Sequence, residues 1–284
     1  ANYVEANGFI RDGNSIRGVV ARDVLRNEHC EIRAKVVLNA AGPYAEKLLQ
    51  SAMGVRLNPP GVYSRDLCFV VPRRLFATER ALAVPGQTKD PDARLSRGAR
   101  HLFVAPWRNS TLVGTWHAVH RGDPDRIGVS DQELSTFVQE VNQGYPGLNL
   151  SDSDIALCNA GLVPFGDNPE GAKDLRYGHR SRFIDHQQTD NLSNLLTLIG
   201  VRFTTGRSEA QRAIDVVFRK LRLKVPQLKG DLSPLNGGEI DDLKKLRAAA
   251  AKRCSLQSDA TVQSLVSNYG TEYDQMMKLV DAEP

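Results

Sequence analysis

Val36-Val-Leu-Asn-Ala-Ala-Gly-Pro-Tyr-Ala-Glu46 carries the reading of the fold. Its first three residues form a continuous apolar run, as expected of a strand buried on both faces. Pro43 suits the first turn of a helix, where its missing N–H costs no bond. Tyr44, Ala45, Leu48, Leu49 and Ala52 then recur on one helical face, and Gly54 supplies a stop. Strand, Ala-Ala-Gly turn, helix is the unit of a doubly wound sheet. A second transition of this kind is Ile199-Gly-Val-Arg-Phe-Thr-Thr-Gly-Arg207. The apolar run Leu195–Ile199 leads into it. A long amphipathic helix follows, with Ala210, Ala213, Ile214, Val217, Phe218 and Leu221 on one face.

Between and around these units the text is mostly strand-like. Asp12-Gly-Asn14 separates Phe9-Ile10 from Ile16–Val20, a hairpin signal. Leu67–Val71, Leu102–Ala105 and Thr111–Thr115 read as antiparallel strands, with a turn at Trp107–Ser110 and an exposed loop at Asp90–Arg100. Ile155–Cys158 and Arg182–Asp185 are further strand-like runs. A helix begins after Ser130. Ser130 and Glu133 form a capping box, Val129 and Leu134 a hydrophobic staple, and Leu134, Phe137, Val138 and Val141 keep helical spacing. After Pro226 the chain changes character. Three short helical patterns remain: Ile240–Ala250, Val262–Tyr269 closed by Gly270, and Thr271–Val280 with a Thr271/Asp274 capping box. The fold class is α+β.

Composition narrows the function classes. The 284 residues are 41% apolar and 25% charged, ordinary for a globular protein with a substantial core. A net charge of +4 is mild and favours small anionic partners. Cys30, Cys68, Cys158 and Cys254 stand singly, so no zinc or Cys-x-x-Cys redox motif is written locally, and a reducing compartment fits. No apolar run reaches the roughly 20 residues of a membrane span. The first residues, Ala-Asn-Tyr-Val-Glu, lack a signal pattern and read as mid-domain text, the expectation for a fragment. Two basic groups, Arg219–Lys229 and Lys244–Arg253, lack interleaved aromatics. They read as solvated helix faces with at most weak attraction to anionic lipid, and no nucleic-acid partner is expected. His117 and His120 lie three apart on strand-and-turn text without further ligands, so no metal is expected.

Taken alone, the 199–207 segment is a helix N-terminus whose free N–H groups and dipole favour an electron-rich ligand edge. Thr204 or Thr205 capping the helix is the simpler explanation of the segment by itself. Five segments together say more. Asn39-Ala-Ala-Gly-Pro43, Gly114-Thr-Trp-His117 with Gly122-Asp-Pro124, Gly200–Arg207, Ser233-Pro-Leu-Asn-Gly-Gly238 and Leu265-Val-Ser-Asn-Tyr-Gly270 occur in one order. In that order they resemble FAD-dependent glycerol-3-phosphate dehydrogenases and oxidases of the D-amino-acid-oxidase-like superfamily, over nearly the whole chain. The family's Gly-Gly-Lys-Leu-Thr-Thr-Tyr-Arg is matched by Gly200, Phe203 (for Leu), Thr204, Thr205 and Arg207. Val201, Arg202 and Gly206 replace its Gly, Lys and Tyr.

The resemblance implies residues 1–55 as the C-terminal part of an FAD-binding domain and 56–198 as an antiparallel substrate domain. It further implies a return to the FAD-binding domain over 199–229 and a helical C-terminal domain over 230–284. It implies FAD as cofactor, contacted by Ala41, Gly42, Gly200, Val201, Arg202, Phe203, Thr204 and Thr205. It implies oxidation of a CH–OH group on a small anionic substrate, with hydride passing to the flavin and a base taking the hydroxyl proton. His117, Arg180 and Arg202 are the candidate catalytic residues, the two arginines converging on one anion site. A cytoplasmic location follows, with peripheral contact at the inner membrane face as a second option. The electron acceptor is left unspecified.

The chain also departs from the pattern. The family's Gly-Val/Leu-Arg-Pro-Leu contributes a phosphate-binding arginine; Gly161-Leu-Val-Pro-Phe165 has Val163 there, a non-conservative loss. The family's Lys-Gly-x-His becomes Arg65-Asp-Leu-Cys68, without the histidine. Glycerol 3-phosphate is therefore expected to be a poor substrate. An amine or amino-acid oxidase, or a non-catalytic remnant, stays open. No Gly-x-Gly-x-x-Gly occurs in the chain, so this chain by itself is expected not to retain FAD and to be inactive.

Overall fold

The computed structural model describes residues 2–58, 61–87, 101–164, 181–227, 233–254 and 257–282. The chain divides into two units after Val225, where the sequence changes character.

The first unit opens with β1 (Val4–Asp12), β2 (Ser15–Asp23) and β3 (Glu28–Arg33), an antiparallel meander. Gly13 takes a positive φ in the β1–β2 turn, as the Asp-Gly-Asn text requires. Then come β4 (Val37–Asn39), a 3₁₀ turn at Gly42–Tyr44 and α1 (Ala45–Met53), which Gly54 ends in the left-handed conformation. Far along the chain, β10 (Arg182–Asp185), the one-turn α3 (His186–Thr189) and β11 (Leu195–Ile199) precede α4 (Gly206–Lys220). β10 and β11 pair antiparallel, with Arg182 opposite Ile199, and β11 pairs parallel with β4. By hydrogen bonding these late strands share the sheet of β4. Ile16, Ala45, Leu49, Leu192, Leu195 and Ile199 close a core between β2, α1 and β11.

The intervening chain builds a five-stranded antiparallel sheet from β5 (Tyr63–Val71), β6 (Leu82–Pro85), β7 (His101–Trp107), β8 (Ser110–His120) and β9 (Leu157–Pro164), in the order β6-β7-β8-β5-β9. α2 (Asp131–Gly144) covers one face, and the expected capping box at Ser130 and Glu133 starts it. Leu67, Phe69, Val71, Val104 and Val113 pack there against Phe137, Val138 and Val141. Each such buried side chain contributes about 1.5–3 kcal/mol. Trp116 stacks on Phe137 at 6.0 Å and donates its indole N–H to Glu140 at 2.9 Å. Glu140 is buried and also accepts from the Gln87 N–H at 2.6 Å, so a carboxylate is tolerated inside because its oxygens are bonded.

The second unit contains α5 (Leu243–Arg253), α6 (Asp259–Tyr269) and α7 (Tyr273–Ala282), closed on Ala250, Cys254, Val262, Val266 and Met277. The expected Thr271/Asp274 box does not form. Residues 270–272 make a 3₁₀ turn instead, and Asp274 binds Arg253 at 3.0 Å. Among the described residues no helix is long and apolar enough to cross a membrane.

Candidate active site

Parallel pairing of β4 and β11 sets their carboxyl ends side by side. Each strand leads at that end into a turn and a helix: Ala41–Gly42 before α1, and Gly200–Thr205 before α4. In open α/β sheets, ligands bind at the carboxyl ends of the strands. Asn39 shapes the first turn. Its buried side chain donates to the Ala45 carbonyl at 3.1 Å and accepts from the Ala41 N–H at 3.2 Å. Gly42 has φ +57°, and nothing lies within 4 Å of where a side chain would start on it, on Gly200 or on Gly206. In the second turn Arg202, Thr204 and Thr205 are exposed, Val201 is half-buried, and Phe203 is 102% exposed. A fully exposed Phe beside bare backbone and a helix N-terminus fits the face and edge of a planar ring. The residues expected to contact a cofactor are thus collected at one end of the mixed sheet. They fit the ring portion of FAD; the glycine pattern for its pyrophosphate is not in this chain.

The second part of the site is the face of the five-stranded sheet opposite α2. Strand alternation puts Ser64, Asp66 and Cys68 of β5 on this face, since Leu67, Phe69 and Val71 point into the core. Cross-strand pairing joins Asp66 to His117 on β8 and to Gly161 on β9, Ser64 to Val163, and Cys68 to Asn159. A bulge between Leu67 and Cys68 brings Trp116 into the core and leaves His117 on the open side. His117 Nδ1 lies 2.8 Å from Asp66 Oδ1 and 3.3 Å from Ser64 Oγ. The side chains are 12% and 26% exposed, so the pair is sheltered yet reachable. Burial pushes the Cys68 thiol up, which a hydrogen bond from Asn159 only partly offsets, so it keeps its proton at neutral pH. Arg65 faces the other way, bonding the Gly128 carbonyl at 2.6 Å and pairing with Glu133.

The two parts are neighbours. The Gly42–Tyr44 turn lies beside β9, and Lys47 of α1 bonds Asp123 at 2.9 Å and also pairs with Asp125, beyond β8. Those two carboxylates, Asp125 first, push the Lys47 ammonium up to about 12. A cavity of about 740 Å³ opens at this junction, lined by Glu46, Lys47, Arg56, Tyr63, Arg121 and Asp123 among others. Burial, with the Glu46 carboxylate adding to it and Arg182 opposing, raises the Tyr63 phenol. Neither Asp66 nor His117 lines this cavity, and their chemistry is not placed in it.

Of the candidate catalytic residues, His117 is held by Asp66 and Arg202 stands exposed at the α4 end; Arg180 lies outside the described residues, and with it the expected convergence of the two arginines. Asp66 escaped the sequence reading, although its place between inward-facing Arg65 and Leu67 signals an outward carboxylate. So did His186. It is fully buried, with Nδ1 2.6 Å from Asp190 and Nε2 2.8 Å from Thr197, pinning the β10–β11 connection. Among the described residues no group of His, Cys, Asp and Glu is arranged to hold a metal ion.

Known proteins resemble the chain over its whole length. The chain is 26% identical to a glycerol-3-phosphate dehydrogenase of Synechocystis sp. over all of its own length and 51% of that protein. It is 26% identical to an alpha-glycerophosphate oxidase of Streptococcus pneumoniae, covering 45% of it. The chain spans about half the length of these curated relatives. The solved structure of glycerol-3-phosphate dehydrogenase from Bacillus halodurans complexed with FAD superposes with a TM-score of 0.73 at 25% identity, over 96% of this chain and 51% of that one. The sequence profile described as FAD dependent oxidoreductase matches residues 1–205, and the chain belongs to that family.

Proposed function

We propose that this chain supplies the substrate side, and the ring-contacting turns, of an FAD-dependent dehydrogenase that oxidises a CH–OH group on a small anionic molecule. The observation that carries the reading is the Asp66–His117 pair on an open sheet face beside the paired strand ends. Ala41, Gly42 and the Gly200–Thr205 segment are the residues that would hold the ring. Flavin, where bound, supplies the two-electron acceptor. The chain's own groups do the rest. His117 takes the hydroxyl proton, Arg202 contributes positive charge near the ring, and the open face of β5, β8 and β9 receives the substrate. The names of the relatives support a phosphorylated small alcohol as substrate class. Val163 argues against glycerol 3-phosphate itself.

The test joins this chain to the dinucleotide-binding portion of one of these relatives and follows dye reduction with a panel of hydroxy acids and sugar phosphates. Oxidation of an anionic alcohol, lost in His117→Ala, is the expected result. A flavin-loaded protein that oxidises amines or amino acids and no alcohol would refute the proposal. We place the protein in the cytoplasm. Exposed Lys244, Lys245, Arg247 and Lys252 along α5 support weak, salt-sensitive attraction to anionic membrane. Salt-independent binding to anionic vesicles, or none, would contradict that attraction.

A further inference from the structure

The geometry points to Gly161 as a specificity-determining residue, whose missing side chain leaves room on the open face for the body of the substrate. This rests on the proposed reading of that face as the one that receives the substrate. Gly161 lies inside β9, directly opposite Asp66 on β5. It is exposed, and no described atom lies within 4 Å of where a side chain would start on it. Its φ is outside the left-handed region, so the backbone there admits residues with side chains.

Neither packing nor backbone conformation calls for glycine at this position. Gly114, in the same sheet, is the contrast: a side chain on it would start 2.8 Å from Cys68 Cβ. Glycine inside a strand costs conformational entropy and leaves nothing to pack, so stability alone favours a β-branched residue at 161. Protection of an edge strand does not explain it either. β9 ends the order of its sheet, and edges are guarded by charges, prolines and bulges, not by bare backbone. What a glycine inside a strand does permit is the close approach of a ligand to the backbone.

Strand register decides which part of the substrate Gly161 meets. Asn159 and Val163 are the next residues of β9 on this face, so the bare stretch between them spans about 13 Å. β8 and β9 flank β5, so their backbones run about 10 Å apart. In the proposed reaction the hydroxyl carbon belongs at His117 on β8. Gly161 on β9 therefore meets the portion of the molecule away from the reacting carbon, and bulk added there acts on binding before it acts on chemistry. The face fits a phosphorylated alcohol whose carbon skeleton continues past the reacting carbon and across β5.

The test has two arms. On this chain, Gly161→Ala and Gly161→Val should unfold at a urea midpoint at or above the unmutated one, with the slope unchanged. A lower midpoint in either overturns the inference, because the fold itself would then require the glycine. In the flavin-loaded joined protein, the same variants are assayed on the alcohol that it oxidises. Gly161→Val should raise KM by about tenfold or more with kcat held, and Gly161→Ala by less. An unchanged KM in Gly161→Val overturns the inference, as does a loss carried by kcat. Absence of alcohol oxidation in the unmutated joined protein overturns the functional reading instead, whatever the urea midpoints.

Discussion

Replacing Val163 with arginine tests where the substrate's anionic group sits. Val163 pairs with Ser64 on β9, one cross-strand pair from Asp66–His117 and on the same open face. It is half-buried, so a guanidinium there keeps part of its hydration and carries little of the penalty of a buried charge. A hydrogen bond to a charged group contributes about 1.5–3 kcal/mol where water is excluded, and an exposed ion pair about 0–1 kcal/mol. A half-buried position lies between. The expected gain is about 1.4 kcal/mol, a tenfold tightening for a phosphorylated alcohol. The chain itself reports this, because a ligand of the folded state raises its unfolding midpoint by mass action. Val163→Arg should need about tenfold less glycerol 3-phosphate for the same rise in Tm. Glycerol should be unaffected, and added salt should erode the difference. If the variant binds glycerol 3-phosphate no better, or the unmutated chain already binds it as tightly, the anion is held elsewhere.

Three further outcomes follow from particular contacts. Gly114→Ala should cost about 1–3 kcal/mol in urea unfolding, because the added carbon would sit 2.8 Å from Cys68 Cβ and 3.3 Å from the Leu67 carbonyl; an unchanged midpoint would show that β5 and β8 can part there freely. Purified alone, the chain should be colourless, since no Gly-x-Gly-x-x-Gly is present to seat a pyrophosphate; stoichiometric flavin absorbance would contradict this. Hydrogen bonding from the Ser151 N–H, then the Arg73 guanidinium, holds the Asp154 carboxyl at about 2. That is below the roughly 3.9 of an unfolded aspartate, so its stabilisation is present above about pH 4 and is lost as pH falls toward 2. Asp154→Asn should flatten the fall in urea midpoint across that window, and an identical slope would remove the assignment.

The parts of the fold legible in the sequence are those set by local chemistry. The β4–α1 and β11–α4 transitions are marked by unbroken apolar runs followed by Pro43 or Gly200. α2 announces itself through Ser130 and Glu133. β6 is only four residues long, at an edge, and gives no periodic signal. β9 runs past the strand-like Ile155–Cys158 stretch, through Asn159 and Gly161, residues disfavoured in strands. They are tolerated in a strand because the face they occupy is open, while Cys158 and Ala160 pack inward. The burial of His186 was not legible either. Asp190 is local to it, but Thr197 arrives only through the β10–β11 pairing.

The site obeys the same division. Its cofactor-contacting turns are written in short motifs, whereas its proton chemistry is written in strand register. The Cys68 thiol is kept protonated by burial, so it does not act as a base at neutral pH. On the same face, one cross-strand pair away, Asp66 and His117 stand directly opposite each other. Read position by position, Val163 and Cys68 look like losses from the pattern that the sequence resembles. On the folded sheet an imidazole and a carboxylate nevertheless lie 2.8 Å apart across β5 and β8. That pair is why we propose a changed substrate with a retained proton acceptor, since a face that had merely decayed would not keep two such groups in register.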